Sequence, residues 1–197
     1  MTRAKPYHRD TALEAAMQLF WTKGYHATSL KDLETALEMK PGSIYAAFAS
    51  KENLYLASLE RYFVQGKSGL ERTLRDATSP LEALANHLRS SAKTDPAAVP
   101  CRSCMLVRTV LDTTATDLFI AAQARTYLDA MKDIFEAGFA RAKAESELPA
   151  NADCAWLARR FQANLAALRI EIHRGTPQSD AMALAEDMAT EVEALRR

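Results

Sequence analysis

With 197 residues, 48% of them hydrophobic, the chain can bury one sizeable core or two small ones packed together, and 25 basic against 25 acidic residues exclude a protein coated in one sign of charge. No apolar run approaches the roughly 18 to 20 residues of a membrane-crossing helix, and no secretory apolar stretch follows the opening Met1 to Pro6, so a cytoplasmic protein without membrane contact is expected. Three cysteines, an odd number, make no disulfide framework and read as thiols.

Apolar residues recur at intervals of three and four almost throughout, period-2 alternation is absent, and glycines number only six, which predicts an all-α fold. The first helix carries Leu13, Ala16, Met17, Phe20 and Trp21 on one face and stops at Gly24. The second starts at Thr28-Ser29, where Ser29 and Asp32 have the spacing of a capping box, and buries Leu30, Leu33 and Leu37. After the short connection Glu38-Met39-Lys40, Pro41 opens a third helix with Ile44 and Phe48 inward, because its missing donor costs nothing in a first turn. Ser50 caps a fourth helix from Lys51 through Leu54, Tyr55, Leu59, Tyr62 and Phe63.

Two short helices joined by a tight turn have the layout of a helix-turn-helix, whose second helix enters the DNA major groove. Gly42 and Ser43 are small enough there for the backbone to approach a duplex, and the helix N-terminus favours phosphate. Tyr45 and Lys51 offer a hydroxyl and a charge, with Lys40 beside them and Thr28 and Ser29 on the other flank. Residues 1 to 51 hold seven basic side chains (Arg3, Lys5, Arg9, Lys23, Lys31, Lys40, Lys51) and five acidic ones (Asp10, Glu14, Asp32, Glu34, Glu38), a net of about +2 that a dimer doubles. The spacing alone is equally that of an ordinary three-helix cap.

The run from Ala27 to Leu33, the pair Ala36-Leu37 and the run from Met39 through Leu54 resemble the DNA-binding domain of the TetR family of bacterial repressors, over about the first 60 residues. The resemblance implies that Thr28, Ser29, Lys40, Gly42, Ser43, Tyr45 and Lys51 stand at positions used for DNA contact, with phosphates predominating. Two departures stand out: Glu38 replaces a common turn glycine, and Ala46-Ala47 replaces a more polar or aromatic pair. The expected division is a helix-turn-helix domain at 1–51 and a helical effector-binding and dimerisation domain at 52–197.

Farther along, Thr78-Ser79-Pro80 and the stretch Thr94 to Pro100 break the pattern, with helices expected near 81–93, 102–113 and 116–146. The last two segments carry Phe161, Leu165, Leu168 and Ile172, then Ala181, Ala185, Met188, Val192 and Leu195, in alternating steps of four and three. That is the repeat of helices crossing at shallow angles, and it marks these nine residues as the expected homodimer interface. His173 to Ser179 suits the hairpin between them. A dimer would read an approximately palindromic site with recognition helices roughly 34 to 36 Å apart.

Cys101 and Cys104 form a Cys-x-x-Cys run at a helix entrance beside Arg102. Three readings stay open: small buried apolar residues, a sensor of oxidants or electrophiles, and a soft-metal site completed by Cys154, His87 or His173. No second Cys-x-x-Cys and no His-x-x-x-His backs the metal, so neither metal nor cofactor is expected. An unknown organic effector would sit among the central helices, with Met105, Phe119, Tyr127, Phe135, Trp156 and Phe161 as candidate walls. The acidic residues do not cluster as acid–base pairs, and an enzyme is not expected. The expected function is an effector-responsive repressor of double-stranded DNA operators, released by a small ligand or a thiol-reactive signal. The alternatives are a helical adaptor with weak DNA affinity and a thiol redox enzyme, against which the missing strand–helix alternation counts.

Overall fold

The computed structural model describes residues 9–93, 104–114 and 116–196, and those residues form helices with no strand among them. In chain order these are α1 (Arg9–Lys23), α2 (Leu30–Leu37), α3 (Pro41–Phe48), α4 (Lys51–Asp76), α5 (Pro80–Ser91), α6 (Met105–Asp112), α7 (Leu118–Ala144), α8 (Cys154–Arg174) and α9 (Gln178–Glu193). The break at 94–100 lies outside the described residues, as does Cys101.

The helix ends follow local chemistry. Ser29 and Asp32 complete the capping box at α2, since the Ser29 hydroxyl accepts from the Asp32 amide at 3.1 Å and the Asp32 carboxylate accepts from the Ser29 amide at 2.8 Å. Ser50, Ser79 and Asp153 cap α4, α5 and α8 in the same way, each accepting from an amide three residues on. Gly175 ends α8 at a φ of 94°, where the Thr176 amide reaches back to the Glu171 carbonyl.

A head and a body share the long helix α4. The head's core holds Leu13, Met17, Phe20, Leu33, Leu37, Ile44 and Phe48, and continues through Leu54, Tyr55 and Leu59 of α4 to Met105 and Leu106 of α6. The body's core gathers Leu70 and Leu74 from the far end of α4 with Leu81, Leu84 and Leu88 of α5, Phe135 and Phe139 of α7, and Phe161 of α8. Phe161 sits against Phe135 and Phe139, with ring centroids at 4.7 and 5.9 Å.

The last two helices correct one expectation. Phe161, Leu165, Leu168, Ile172, Ala181, Ala185 and Val192 are buried within this single chain, while Met188 and Leu195 are half-buried against the same cores. The stripe read as a partner-facing seam instead closes α8 and α9 onto α5, α7 and the loop at Ala92. A 3.5-residue repeat reports a shallow helix crossing but not whether the crossing helix belongs to the same chain. Arg89 of α5 fixes the α5–α9 pair through Glu186 at 2.7 Å and Glu193 at 2.6 Å.

Replacing Phe161 by Ala removes a ring from the middle of this core, and the expected loss is about 3–5 kcal/mol of stability. Urea unfolding at fixed protein concentration measures it; a loss below about 1 kcal/mol would mean that the site collapses freely.

Candidate nucleic-acid interface and cavity

On the head, α3 stands out from its supports. Ile44 and Phe48 anchor it, whereas Gly42, Ser43, Tyr45 and Ala46 are exposed along its outer side and Lys40 is exposed at its start. A Cβ at Gly42 would meet nothing within 4 Å, so its value there is open backbone at a helix N-terminus, not tight packing. The α2–α3 turn forces Glu38 to φ 53°, ψ 36°, with its amide donating to the Glu34 carbonyl. That is the left-handed conformation a glycine adopts without strain, so the unusual residue is accommodated at a conformational cost.

The other expected contact residues divide into outward and committed groups. Thr28 is 1% exposed, and its hydroxyl donates to the Gly24 carbonyl at 2.7 Å, so it braces the loop and does not face outward. Ser29 is exposed but engaged as the α2 cap. Lys51 lies 4.6 Å over the Tyr25 ring, and its partial burial lowers its pKa. Lys23 is paired with Asp32 at 2.8 Å, and hydrogen bonds from Lys23 and Ser29 hold that carboxyl far below the usual range. Among the described residues, Lys31 and Lys40 are exposed and have no carboxylate within 4.0 Å. The positive charge left without a carboxylate on this part of the head is therefore smaller than a residue count implies, and it sits beside α2 and α3.

A cavity of about 260 Å³ lies behind the head, between α1, α4, α5, α6, α7 and α8. Met17, Trp21, Phe63, Leu128, Met131 and Phe135 give it apolar walls, and Cys104, Tyr62, His87 and Arg169 bring polar groups to it. The Tyr62 hydroxyl is 3.2 Å from Arg169 Nη1, and Cys104 interacts with both side chains. Burial pushes the Tyr62 phenol up, so it stays neutral, and burial together with the Arg169 charge pushes His87 down to about 4.

Of the expected effector residues, Cys104 and Phe135 do line this cavity. Met105 is buried in the head's core instead, one helical position away from the cavity side. Phe119 is 78% exposed and Trp156 61% exposed, so neither forms a pocket wall. Tyr127 stacks on Phe63, and Phe161 belongs to the body's core. The Cys-x-x-Cys pair cannot be placed, since Cys101 is outside the described residues. Cys154, the other cysteine described, sits at the start of α8 and does not line the cavity. Among the described residues no three His, Cys, Asp or Glu side chains are grouped as a metal site.

Sequence reasoning missed Tyr62, His87 and Arg169 as one cluster, and missed Arg108. Gln162, Ala166 and Arg169 follow each other at steps of four and three beside the buried α8 stripe, which was a readable signal of a polar edge facing an internal space. Arg108 of α6 donates to the carbonyls of Trp21, Thr22 and Lys23 at 2.9, 3.0 and 3.1 Å, closing the C-terminal end of α1. A Cβ at Gly24 would come within 3.1 Å of its guanidinium, so the glycine permits the approach as well as its own φ of 83°. Thr109 spends its hydroxyl hydrogen on the Met105 carbonyl, so Tyr55 of the head donates to Thr109 Oγ1 at 2.7 Å. His26 meets Asp117 at the start of α7 at 2.8 Å. The helix that begins at the cavity's cysteine is thus bonded to the head.

Comparison with known proteins follows the same outline. Residues 12–58 match the family model described as "Bacterial regulatory proteins, tetR family". The HTH-type transcriptional repressor ComR of Escherichia coli (strain K12) is 29% identical over 187 residues, which cover 93% of this chain and 88% of ComR. A solved structure of a cysteine mutant of the TetR family transcriptional regulator CifR, complexed with a 26-base-pair double-strand operator DNA, is 30% identical, with a TM-score of 0.85 over 96% of this chain and 98% of that one. The reduced form of NemR from E. coli shares the fold at a TM-score of 0.81 and 16% identity.

Because His87 titrates near 4 in the folded protein and near 6.5 when unfolded, its contribution to stability is complete above about pH 6.5 and is lost as the pH falls toward 4. The stability of wild type minus that of His87→Gln, followed by urea unfolding from pH 7.5 to 4, should shrink across that window. A difference constant with pH would contradict the buried, neutral imidazole.

Proposed function

The chain belongs to the tetR family of bacterial regulatory proteins, and from that footing we propose an effector-responsive transcriptional repressor that binds a palindromic operator as a homodimer and releases it when its cavity is occupied. The observation that carries the reading is the disposition of α3: a helix anchored by Ile44 and Phe48 that turns Gly42, Ser43 and Tyr45 to the outside with Lys40 at its entry. Small residues at an exposed helix N-terminus admit a phosphate backbone closely, and a rigid phenol and a cation extend the contact. We keep Lys40, Gly42, Ser43, Tyr45 and Lys51 as the contact set, with Lys31 added. Thr28 and Ser29 take the role of shaping the loop that holds α2 against the duplex.

The dimer surface we assign is the outer side of α8 and α9, opposite the buried stripe. Trp156, Ala163, Ala167 and Ile170 repeat along α8 at steps of seven, four and three, and Met182, Ala183, Thr190 and Ala194 lie exposed on α9. Small residues there let two helix pairs approach, and the exposed Trp156, Ile170 and Met182 supply apolar contact. A residue cut at 51 separates the DNA-contacting segment from the rest, although the head's core extends into the first turns of α4.

Release follows from linkage: a ligand that prefers one arrangement of α6 and DNA that prefers another weaken each other's binding equally. A thiol-reactive signal is a second route on the same structure, because Cys104 lines the cavity, where an electrophile entering it would meet the sulfur.

Selection of bound sequences from random duplexes by the purified protein, at two salt concentrations, tests the DNA reading. An enriched palindrome whose affinity drops steeply with salt is expected, and Tyr45→Phe should weaken it evenly across sequences. Absence of any enriched sequence from a folded dimer would favour the adaptor alternative. Ala167→Glu should give a monomer by light scattering and lower operator affinity by at least about tenfold; a variant that stayed dimeric would place the interface elsewhere.

A further inference from the structure

We infer that the cavity accepts an apolar molecule carrying one carboxylate, with Arg169 as its counter-ion; this rests on the cavity being the effector site. Five arginines are half-buried among the described residues, and four of them, Arg61, Arg89, Arg108 and Arg141, lie within 4.0 Å of a carboxylate. Arg169 is the fifth. Its guanidinium lines the cavity beside Tyr62, and no carboxylate among the described residues lies within ion-pair distance.

Its described neighbours bring it no carboxylate. The Tyr62 phenol is neutral, since burial raises its pKa, and the His87 imidazole is neutral as well. Cys104 brings a sulfur to the guanidinium, not a carboxylate. A cation left uncompensated in an apolar enclosure is costly, and a ligand that brings the opposite charge recovers that energy as affinity. Guanidinium has five N–H donors in a planar fork, and Tyr62 and Cys104 are its only described partners, which leaves donors for a planar carboxylate. The Tyr62 hydroxyl hydrogen and a neutral imidazole N–H are in the same cluster.

The rest of the lining sets the body of the ligand. Trp21, Phe63, Leu128, Met131 and Phe135 favour an aliphatic or aromatic group, and about 260 Å³ is near the lower end of the roughly 300–1,000 Å³ of small-molecule sites. An inorganic anion would leave those walls unused. At the α1 side, the Gln18 Oε1 atom is buried without a hydrogen-bond partner, and it gives the ligand's far end an acceptor to meet.

The test uses the full-length dimer and matched probes: octanoate against octanamide, and phenylacetate against phenylacetamide, by calorimetry at pH 7.5. Each acid should bind at least tenfold more tightly than its amide. Arg169→Met should erase that difference while leaving amide affinity within about threefold, and Arg169→Lys should keep part of it, which guards against a folding defect in the first variant. An independent readout is the His87 ring resonance: a carboxylate beside Arg169 cancels the charge that depresses His87, so its pKa should rise when acid, but not amide, is bound. Equal binding of acid and amide, or an acid preference surviving Arg169→Met, would overturn the inference. If amides alone bind and displace the selected operator, the carboxylate inference fails while the effector cavity stands. If neither series binds and His87 does not move, both fail.

Discussion

Arg108 holds the molecule's two functions in one piece. Its guanidinium spans the last three carbonyls of α1, which have no partner within that helix, and its own carboxylate neighbour Asp112 lies one turn along α6 at 2.9 Å. Orphan carbonyls at a helix end must find donors, and here the donor comes from a different helix, 85 to 87 residues later in the chain. Tyr55 to Thr109 adds a second bond between the head and α6, and His26 to Asp117 ties the head to the start of α7. α6 is eight residues long and begins directly after Cys104, on the cavity wall. Leu106 and Val107 line that cavity, so this short helix carries both a cavity wall and the bonds to the head.

The body gives that small helix a firm backdrop. α5 is wrapped by α7 and α9 and pinned by Arg89, and α8 is locked through Phe161, Leu165 and Leu168 into the same core. Close-packed elements transmit displacement rather than absorbing it. The cavity is bounded by this rigid side on α5, α7 and α8 and by the α6 side that carries the head. The outer faces of α8 and α9 are left exposed on the far side of this core.

Local chemistry made most of the fold legible from the amino-acid order. Capping residues, Pro41, Pro80, Gly24 and Gly175 mark helix ends whose hydrogen bonds are satisfied within a few residues, and the exposed flank of α3 follows from the anchors Ile44 and Phe48. What escaped were choices between faces and partners. The α8 and α9 stripes have the spacing of a helix seam, yet periodicity is silent on whether the seam lies inside a chain or between two, and here it lies inside. Thr28 has the chemistry of a phosphate contact but spends its hydroxyl on Gly24. Phe119 and Trp156 are large and apolar but face outward, since size and hydropathy do not give direction. Arg169 carries no sequence signal of its own, since a lone arginine in a helix is usually solvated; that no carboxylate among the described residues pairs with it is visible only in the assembled fold.

The central claim, that cavity and head are coupled through Arg108, can be measured without knowing the effector. Ala166 lines the cavity, so Ala166→Phe fills part of it as a bound molecule would, and Arg108→Met cuts the bonds to α1 while keeping much of the side chain's bulk. Operator affinities of wild type, both single variants and the double variant form a cycle. The account predicts that Ala166→Phe weakens operator binding by at least about tenfold in the wild-type background and hardly at all when Arg108 is already replaced. Operator binding unaffected by Ala166→Phe, or the same loss with and without Arg108, would contradict it.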